Sequence, residues 1–289
     1  MKIVRIDGGL GNQMFCYAFA LALAKASGDE VLIDSHRYKF FPNHFGYELD
    51  RLFNVTLGEA TIRQLWKVTY PANCEFVSRI FQRFPPRKSE IREVYEHCYP
   101  NIIEEHKDGY YIGNWQWYKY FDHIKEDILK AFSFKESLDK RNQELQDLLL
   151  HRDCSVSLHI RRGDYLNSPQ YAAICDKAYY SKAIELVRKK IEGKKHFAIF
   201  SNDTQWCVEH IVPMLGSAEA TVVDWNMGYD SYKDMRLMSA CRVNIIANSS
   251  FSWWAAYMNS RKDKIVIAPN QWINRPLNYR IQCDGWTCI

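Results

Sequence analysis

The stretch HIRRGDY, residues 159–165, sets an imidazole, two guanidinium groups and a carboxylate side by side. Arg161 and Arg162 are costly to bury without counter-charge, and their planar donor forks suit a doubly charged partner such as a pyrophosphate. His159 could hydrogen-bond a base. Asp164 could orient an arginine or act as a general base. The plainer alternative is an Arg–Asp ion pair at a strand end. Anion binding is the stronger reading, because two arginines, an acid and an imidazole converge within six residues.

Three more places carry polar chemistry. FSND puts Ser201, Asn202 and Asp203 ahead of TQWCVEHI, where Asp203 could cap a helix and also serve a ligand. NSSFSWW puts Ser249 and Ser250 before a helix that should begin near Phe251; these serines could cap it and donate to a phosphate at its N-terminus. Trp253 and Trp254 read as core. Asp234, in SYKDMRLMSA, could accept the N1 and N2 protons of guanine as a bidentate pair, although taken alone it reads as a solvated acid. No two aspartates stand two apart, so the DxD pair that holds a metal against a sugar nucleotide is missing, as are HExxH, GxxxxGK[ST], GxSxG and zinc-like Cys/His spacings. No metal is expected, and arginine is the expected stabiliser of a phosphate leaving group.

These residues need strands to end on them. SVSLHI (155–160), HFAIFS (196–201), ATVVDW (220–225), VNIIAN (243–248) and KIVIAP (264–269) are apolar runs separated by helical stretches near 177–192, 204–214, 231–241 and 251–260. That alternation predicts a buried parallel sheet with polar residues at its C-terminal edge. The first half is less regular. It predicts strands at 2–6, 30–34 and 110–115 and helices at 13–26, 57–67, 119–131 and 136–150, with Pro85 and Pro86 as breakers. The expectation is α/β: two Rossmann-like domains, 1–150 and 151–289, facing a cleft.

The opening GGLGNQ follows a strand, precedes an apolar helix that Asn12 could cap, and has Asp34 about 20 residues on, as in a dinucleotide-binding unit. But Met14 stands where the third glycine belongs, and Asn12 and Gln13 put amides where pyrophosphate wants bare N–H groups. A tight βα turn is the simple reading of Gly8, Gly9 and Gly11.

Of 289 residues, 47% are hydrophobic and 25% charged, an ordinary globular composition, and a net charge of +4 is too mild to argue for nucleic acid. Aromatics at 15% leave room for stacking surfaces. Nine cysteines, an odd number without a CxxC, read as reduced thiols in a cytoplasmic protein; Cys283 and Cys288 could pair, but free thiols are favoured. No signal segment and no membrane-spanning run is found.

Taken in order, GGLGNQMF-x-YA, NHFGYELDRLF, GNWQWYKYF, HIRRGDY, FSND and NSSFSWWAA resemble glycosyltransferase family 11, whose members are α-1,2-fucosyltransferases, from residue 8 to about 257. The resemblance implies a GT-B arrangement, GDP-L-fucose as donor, an oligosaccharide acceptor such as a terminal galactose, inversion and no metal. It implies that His159 and Asp234 read guanine, that Arg161 and Arg162 grip the diphosphate, and that Ser249, Ser250 and Phe251 line the phosphate site with Asp203 nearby. Gly11, Asn12 and Gln13 would face the donor sugar or acceptor. Cys16 stands where the family usually has glutamine, and GNWQWYKYF where GYWQSEKYF is commoner. The acceptor is expected near His44, Tyr47, Glu48, Trp115 and Gln116, although these aromatics read equally as core. Asp164 is the first choice of base, with Asp7 and His44 as further candidates; Ser168, Pro169 and Gln170 occupy the place of a glutamate found in related families.

Rival readings are a nicotinamide-dependent reductase, a transferase of another GDP-sugar such as GDP-mannose, and a non-catalytic GDP- or glycan-binding protein. IFQRFPPRK, with Arg83, Arg87 and Lys88, could form a basic aromatic edge at a membrane serving a lipid-linked acceptor, or simply an exposed loop.

Overall fold

A computed structural model describes residues 1–40, 44–69 and 89–289. Arg83, Arg87 and Lys88 lie outside the described residues, as do Pro85 and Pro86. The chain forms two compact units: Met1–Glu136 with Leu277–Ile281, and Ser137–Pro276 with Gln282–Ile289. The division thus falls before helix Lys140–His151, not at residue 150, and a short C-terminal segment returns to the first unit.

The first unit holds a four-stranded parallel sheet in the order β2-β1-β4-β3, made of β1 (Lys2–Arg5), β2 (Val31–Asp34), β3 (Glu90–Arg92) and β4 (Gly109–Ile112). Helix Leu10–Ser27 is apolar nearly all round and is buried from Met14 to Leu23, as such a sequence requires. It begins three residues earlier than expected. Gly9, not Asn12, is the N-cap, and its carbonyl accepts the Asn12 and Gln13 N–H groups. Gly28 ends the helix in the left-handed conformation (φ 67°), which glycine adopts without a Cβ penalty. The helix expected over 57–67 is Ile62–Thr69, and 119–131 divides into two 3₁₀ turns and helix Lys125–Ala131.

The second unit holds a six-stranded sheet, order β10-β9-β8-β5-β6-β7, with every pairing parallel. Its strands are β5 (Cys154–Ile160), β6 (Lys195–Ser201), β7 (Glu219–Val223), β8 (Val243–Ile245), β9 (Ile265–Ala268) and β10 (Thr287–Cys288). Counted from β5, this is the 3-2-1-4-5-6 order of a dinucleotide-binding fold. Val156, Leu158, Phe197, Ile199, Val243, Ile245 and Ile267 pack with Tyr180, Ile184 and Val187 of helix Lys177–Lys190 in one core. The continuous apolar strands therefore have the reason expected of them: cover on both faces. β10, only two residues long, is not among the strands that the sequence predicts. Trp253 and Trp254 are fully buried. Cys283 and Cys288 form no disulfide.

Candidate active site

The chain leaves β5 towards β6 and β7 on one side, then returns to β8 on the other. The crevice at such a reversal, beyond the strand C-termini, is where this architecture leaves room for a ligand. HIRRGDY ends β5, FSND ends β6, and NSSF follows β8.

Local bonds fix this end of the sheet. Asn202 Oδ1 accepts the Arg162 N–H at 2.9 Å, and Tyr165 OH donates to the Asn248 carbonyl at 3.3 Å. Asp203 Oδ1 caps helix Thr204–His210 by accepting the Trp206 N–H, while Oδ2 accepts Arg162 Nε at 2.9 Å. The Arg162 guanidinium lies 4.0 Å from the Trp206 ring centroid. Asp203 is thus cap and arginine partner together, and the Arg162 hydrogen bond holds its carboxyl below the usual range. Arg161 Nη2 pairs with Asp164 Oδ1 at 2.8 Å, with 56% of the Asp164 side chain exposed. The simple Arg–Asp pair foreseen as the alternative is therefore present. Each arginine leaves most of its donor fork outside its ion pair.

Ser249 occupies the N-cap of helix Ser250–Met258, yet no serine side chain caps it; this corrects the capping role expected of the pair. Its first-turn N–H groups therefore have no side-chain cap, the kind of end at which helices hold anions. His159 is buried, with Phe251 at 5.9 Å between ring centroids, and its Nδ1 has no partner. Burial, assisted by the Arg161 charge, lowers its pKa to about 3, so the ring is neutral. Asp234 is not the solvated acid that its helix position suggests. Its Oδ1 accepts Asn226 Nδ2 at 2.8 Å, and burial raises its carboxyl to about 7.

In the first unit, GGLGNQ makes a turn closed by its own neighbours. Gln13 is wholly buried: its Nε2 donates to the Gly8 and Gly46 carbonyls, and its Oε1 accepts the Glu48 N–H. The Tyr38 hydroxyl takes the Gly8 carbonyl as well. Asp34, the would-be ribose acid, accepts the Tyr110 hydroxyl and lies 3.0 Å from His36 Nδ1. The reductase reading loses both its phosphate loop and its acid.

Gln13 is therefore a structural clamp. Gly11 is buried beside it. Asn12 differs: its Oδ1 accepts Gln116 Nε2 at 2.9 Å, and among the described residues nothing accepts from its Nδ2. Tyr95 OH donates to Gln116 Oε1 at 2.6 Å and fixes the amide orientation. His44 is exposed and lies against Gly9, where an added Cβ would meet its ring at 3.4 Å. Tyr47 OH donates to Asp50, and buried Glu48 pairs with Arg51. Trp115 offers no binding face: it is fully buried and stacked on Phe19 at 4.1 Å. Asp7 is held by Arg5 and Arg37.

One acid escaped the sequence reading. Glu93 Oε2 accepts the Asn114 and Trp115 N–H groups at 2.7 and 2.8 Å, holding Trp115 in a left-handed conformation (φ 52°) just before Gln116. Its Oε1 is buried without a partner, and burial raises the carboxyl to about 7. No motif marks it; only its position after β3 could have drawn notice.

Residues 1–289 match the family model for glycosyl transferase family 11. The chain belongs to this family. This glycosyltransferase is 31% identical to an alpha-1,2-colitosyltransferase of Escherichia coli, over 94% of its own length and 92% of the relative's. It is 26% identical to galactoside alpha-(1,2)-fucosyltransferase 1 of Homo sapiens, over 87% of its length and 64% of that longer protein. The NodZ alpha-1,6-fucosyltransferase, solved after soaking with GDP-fucose, shares the fold: TM-score 0.54 at 14% identity, over 89% of this chain and 91% of that one. The glycosyltransferase is α/β and GT-B-like, with two Rossmann-like units, as expected. Among its described residues no helix is long and apolar enough to cross a membrane, and no group of three His, Cys, Asp or Glu side chains is placed to hold a metal ion.

Proposed function

We propose that this glycosyltransferase moves L-fucose from GDP-fucose to the 2-OH of a terminal galactose, with inversion, making an α-1,2 linkage without a metal. The observation that carries the reading is the end of β5. Two arginines, each braced by an aspartate, stand beside an uncapped helix N-terminus, and the same unit holds a neutral His159 with an orphaned nitrogen and an underused Asp234 carboxylate. That set suits a diphosphate and a guanine edge.

In the reaction the bond from the sugar anomeric carbon to the β-phosphate oxygen breaks, and negative charge grows on GDP. Arg161, Arg162 and the first-turn N–H groups of helix Ser250–Met258 offset that charge; losing one such donor costs about 10²–10³ in rate. The acceptor oxygen forms the new bond from the opposite face and gives up its proton. Asp7 is held by two arginines, whereas Asp164 pairs with Arg161 through one oxygen of a largely exposed carboxylate, so Asp164 and His44 stand as the candidate bases. Asn12, oriented by Gln116, presents an amide donor to the sugar or acceptor. We place the acceptor, an oligosaccharide that could be lipid-linked and met at a membrane surface, on the first unit; the site of action is then cytoplasmic or membrane-peripheral.

The 31% relative named for colitosyl transfer favours a second reading, in which the donor is another GDP-linked deoxysugar. Calorimetric titration with GDP in EDTA, on wild type and Arg161→Ala with UDP and NADH as controls, tests the donor site. Metal-free GDP binding lost in the variant supports it; GDP binding that ignores the substitution refutes it. NMR of the product made from each GDP-sugar with a galactoside then decides donor, linkage and anomeric configuration.

A further inference from the structure

A chain of buried amides runs from the start of helix Lys140–His151 to Asp234. Asp139 caps that helix: its Oδ1 accepts the Asn142 N–H at 3.1 Å, and its Oδ2 accepts Asn142 Nδ2 at 2.6 Å and Lys233 Nζ at 3.0 Å. Asn142 and Asn226 then exchange a reciprocal pair of bonds, Nδ2 to Oδ1, at 2.9 and 2.8 Å. Trp225 Nε1 adds a bond to Asn142 Oδ1 at 3.0 Å. The second proton direction of Asn226 Nδ2 reaches Asp234 Oδ1 at 2.8 Å. Both asparagines are almost fully buried, Asn142 at 1% exposure and Asn226 at 6%. Among the described residues nothing donates to Asp234 Oδ2.

Buried asparagines are expensive unless every polar atom is used, and here the bonds lock the two amides in one orientation. The cost has a purpose if the last carboxylate must point one way. A bidentate contact to the N1–H and N2–H edge of guanine needs its two oxygens in a fixed plane, whereas a swivelling carboxylate would not tell guanine from hypoxanthine, which lacks the 2-amino group. We infer that Asn226, locked by Asn142 and Trp225, is a positioning residue that sets the Asp234 carboxylate for the two-point reading of guanine. The inference rests on the proposed role of Asp234. It makes helix Lys140–His151, expected to lie in the first domain, part of the nucleotide site. The neighbouring charges agree: Lys233 is spent on Asp139 and Asp230, leaving Asn226 to steady the carboxylate.

The test compares affinities for GDP, IDP and inorganic pyrophosphate by calorimetry. Wild type should prefer GDP to IDP. Asn226→Ala should weaken GDP about 10-fold, the equivalent of one hydrogen bond to a charged group, and collapse the GDP/IDP ratio. Pyrophosphate affinity, which the arginines set, should not move. In an Asp234→Asn background, Asn226→Ala should add no further loss. Should Asn226→Ala fail to fold, Trp225→Phe keeps a ring under Arg141, 3.6 Å from the Trp225 centroid, and should lower the ratio less but in the same direction. An unchanged ratio in these variants, with Asp234→Asn abolishing it, overturns the positioning role and leaves the guanine reading standing. An unchanged ratio in Asp234→Asn overturns the guanine reading itself.

Discussion

Gly163, between the two arginines and Asp164, offers a sharp test of how tightly the end of β5 is built. Its φ of 48° lies in the left-handed region, and a Cβ there would sit 2.3 Å from Asn202 Nδ2. Asn202 can swing away only by releasing the Arg162 N–H that its Oδ1 holds at 2.9 Å. Gly163→Ala therefore combines a backbone cost of about 1–2 kcal/mol with the loss of a hydrogen bond worth about 1 kcal/mol. The sum, about 2–3 kcal/mol, should lower the melting transition of the second unit by roughly 5–10 °C. Arg162 would lose its fixed register, and GDP should bind about 10-fold more weakly. Differential scanning calorimetry and GDP titration read both effects. A partner variant separates the causes: on an Asn202→Ala background the clash is gone, so Gly163→Ala should cost only its backbone share, a coupling of about 1 kcal/mol. If Gly163→Ala melts and binds like wild type, the loop is not held as described.

Three further outcomes follow from the geometry. With the Asp234 carboxyl raised to about 7, GDP should bind best above that pH, where the acid is ionised and accepts hydrogen bonds from the guanine N–H groups. Affinity should fall about 10-fold by one pH unit below the midpoint, and Asp234→Asn should flatten the profile in calorimetric titrations. Gln13→Ala removes three buried hydrogen bonds and should destabilise the first unit by about 3 kcal/mol in urea titration, while GDP affinity stays put; a large loss of GDP affinity at intact stability would return Gln13 to the donor site. Glu93→Ala should cost about 3 kcal/mol, because two backbone N–H groups lose their acceptor, whereas Glu93→Gln keeps an oxygen for them and should melt near wild type below pH 7.

The second unit was legible because parallel strands buried on both faces announce themselves as unbroken apolar runs, and because polar residues collect where those runs stop. β5 and β6 match the expected strands to within a residue. The first unit was harder. Its strands are short, and the start of helix Leu10–Ser27 depends on which backbone carbonyl is used, not on a side chain that a reader can see. Burial was the other blind spot. Nothing in GNWQWYKYF distinguishes Trp115, locked against Phe19, from an exposed platform, and nothing in SYKDMRLMSA shows that Asp234 is drawn in against Asn226. Asn226, which bonds to Asp234 from eight residues away, is itself locked by Asn142, 84 residues distant along the chain, a separation that no local pattern spans.

The short return of Leu277–Ile281 to the first unit has a practical result. Asn278 Oδ1 accepts the Cys98 N–H, the Asn278 N–H reaches the Glu96 carbonyl, and the Tyr279 hydroxyl reaches the Tyr95 carbonyl, while the last residues go on to add β10 to the second sheet. Neither unit is a continuous stretch of sequence. A chimera that exchanges donor halves between relatives cannot be made by one cut: it must join at three places, after Glu136, after Pro276 and after Ile281. A fragment ending at Glu136 would leave the backbone around Tyr95–Cys98 without the strand of chain that ties it down.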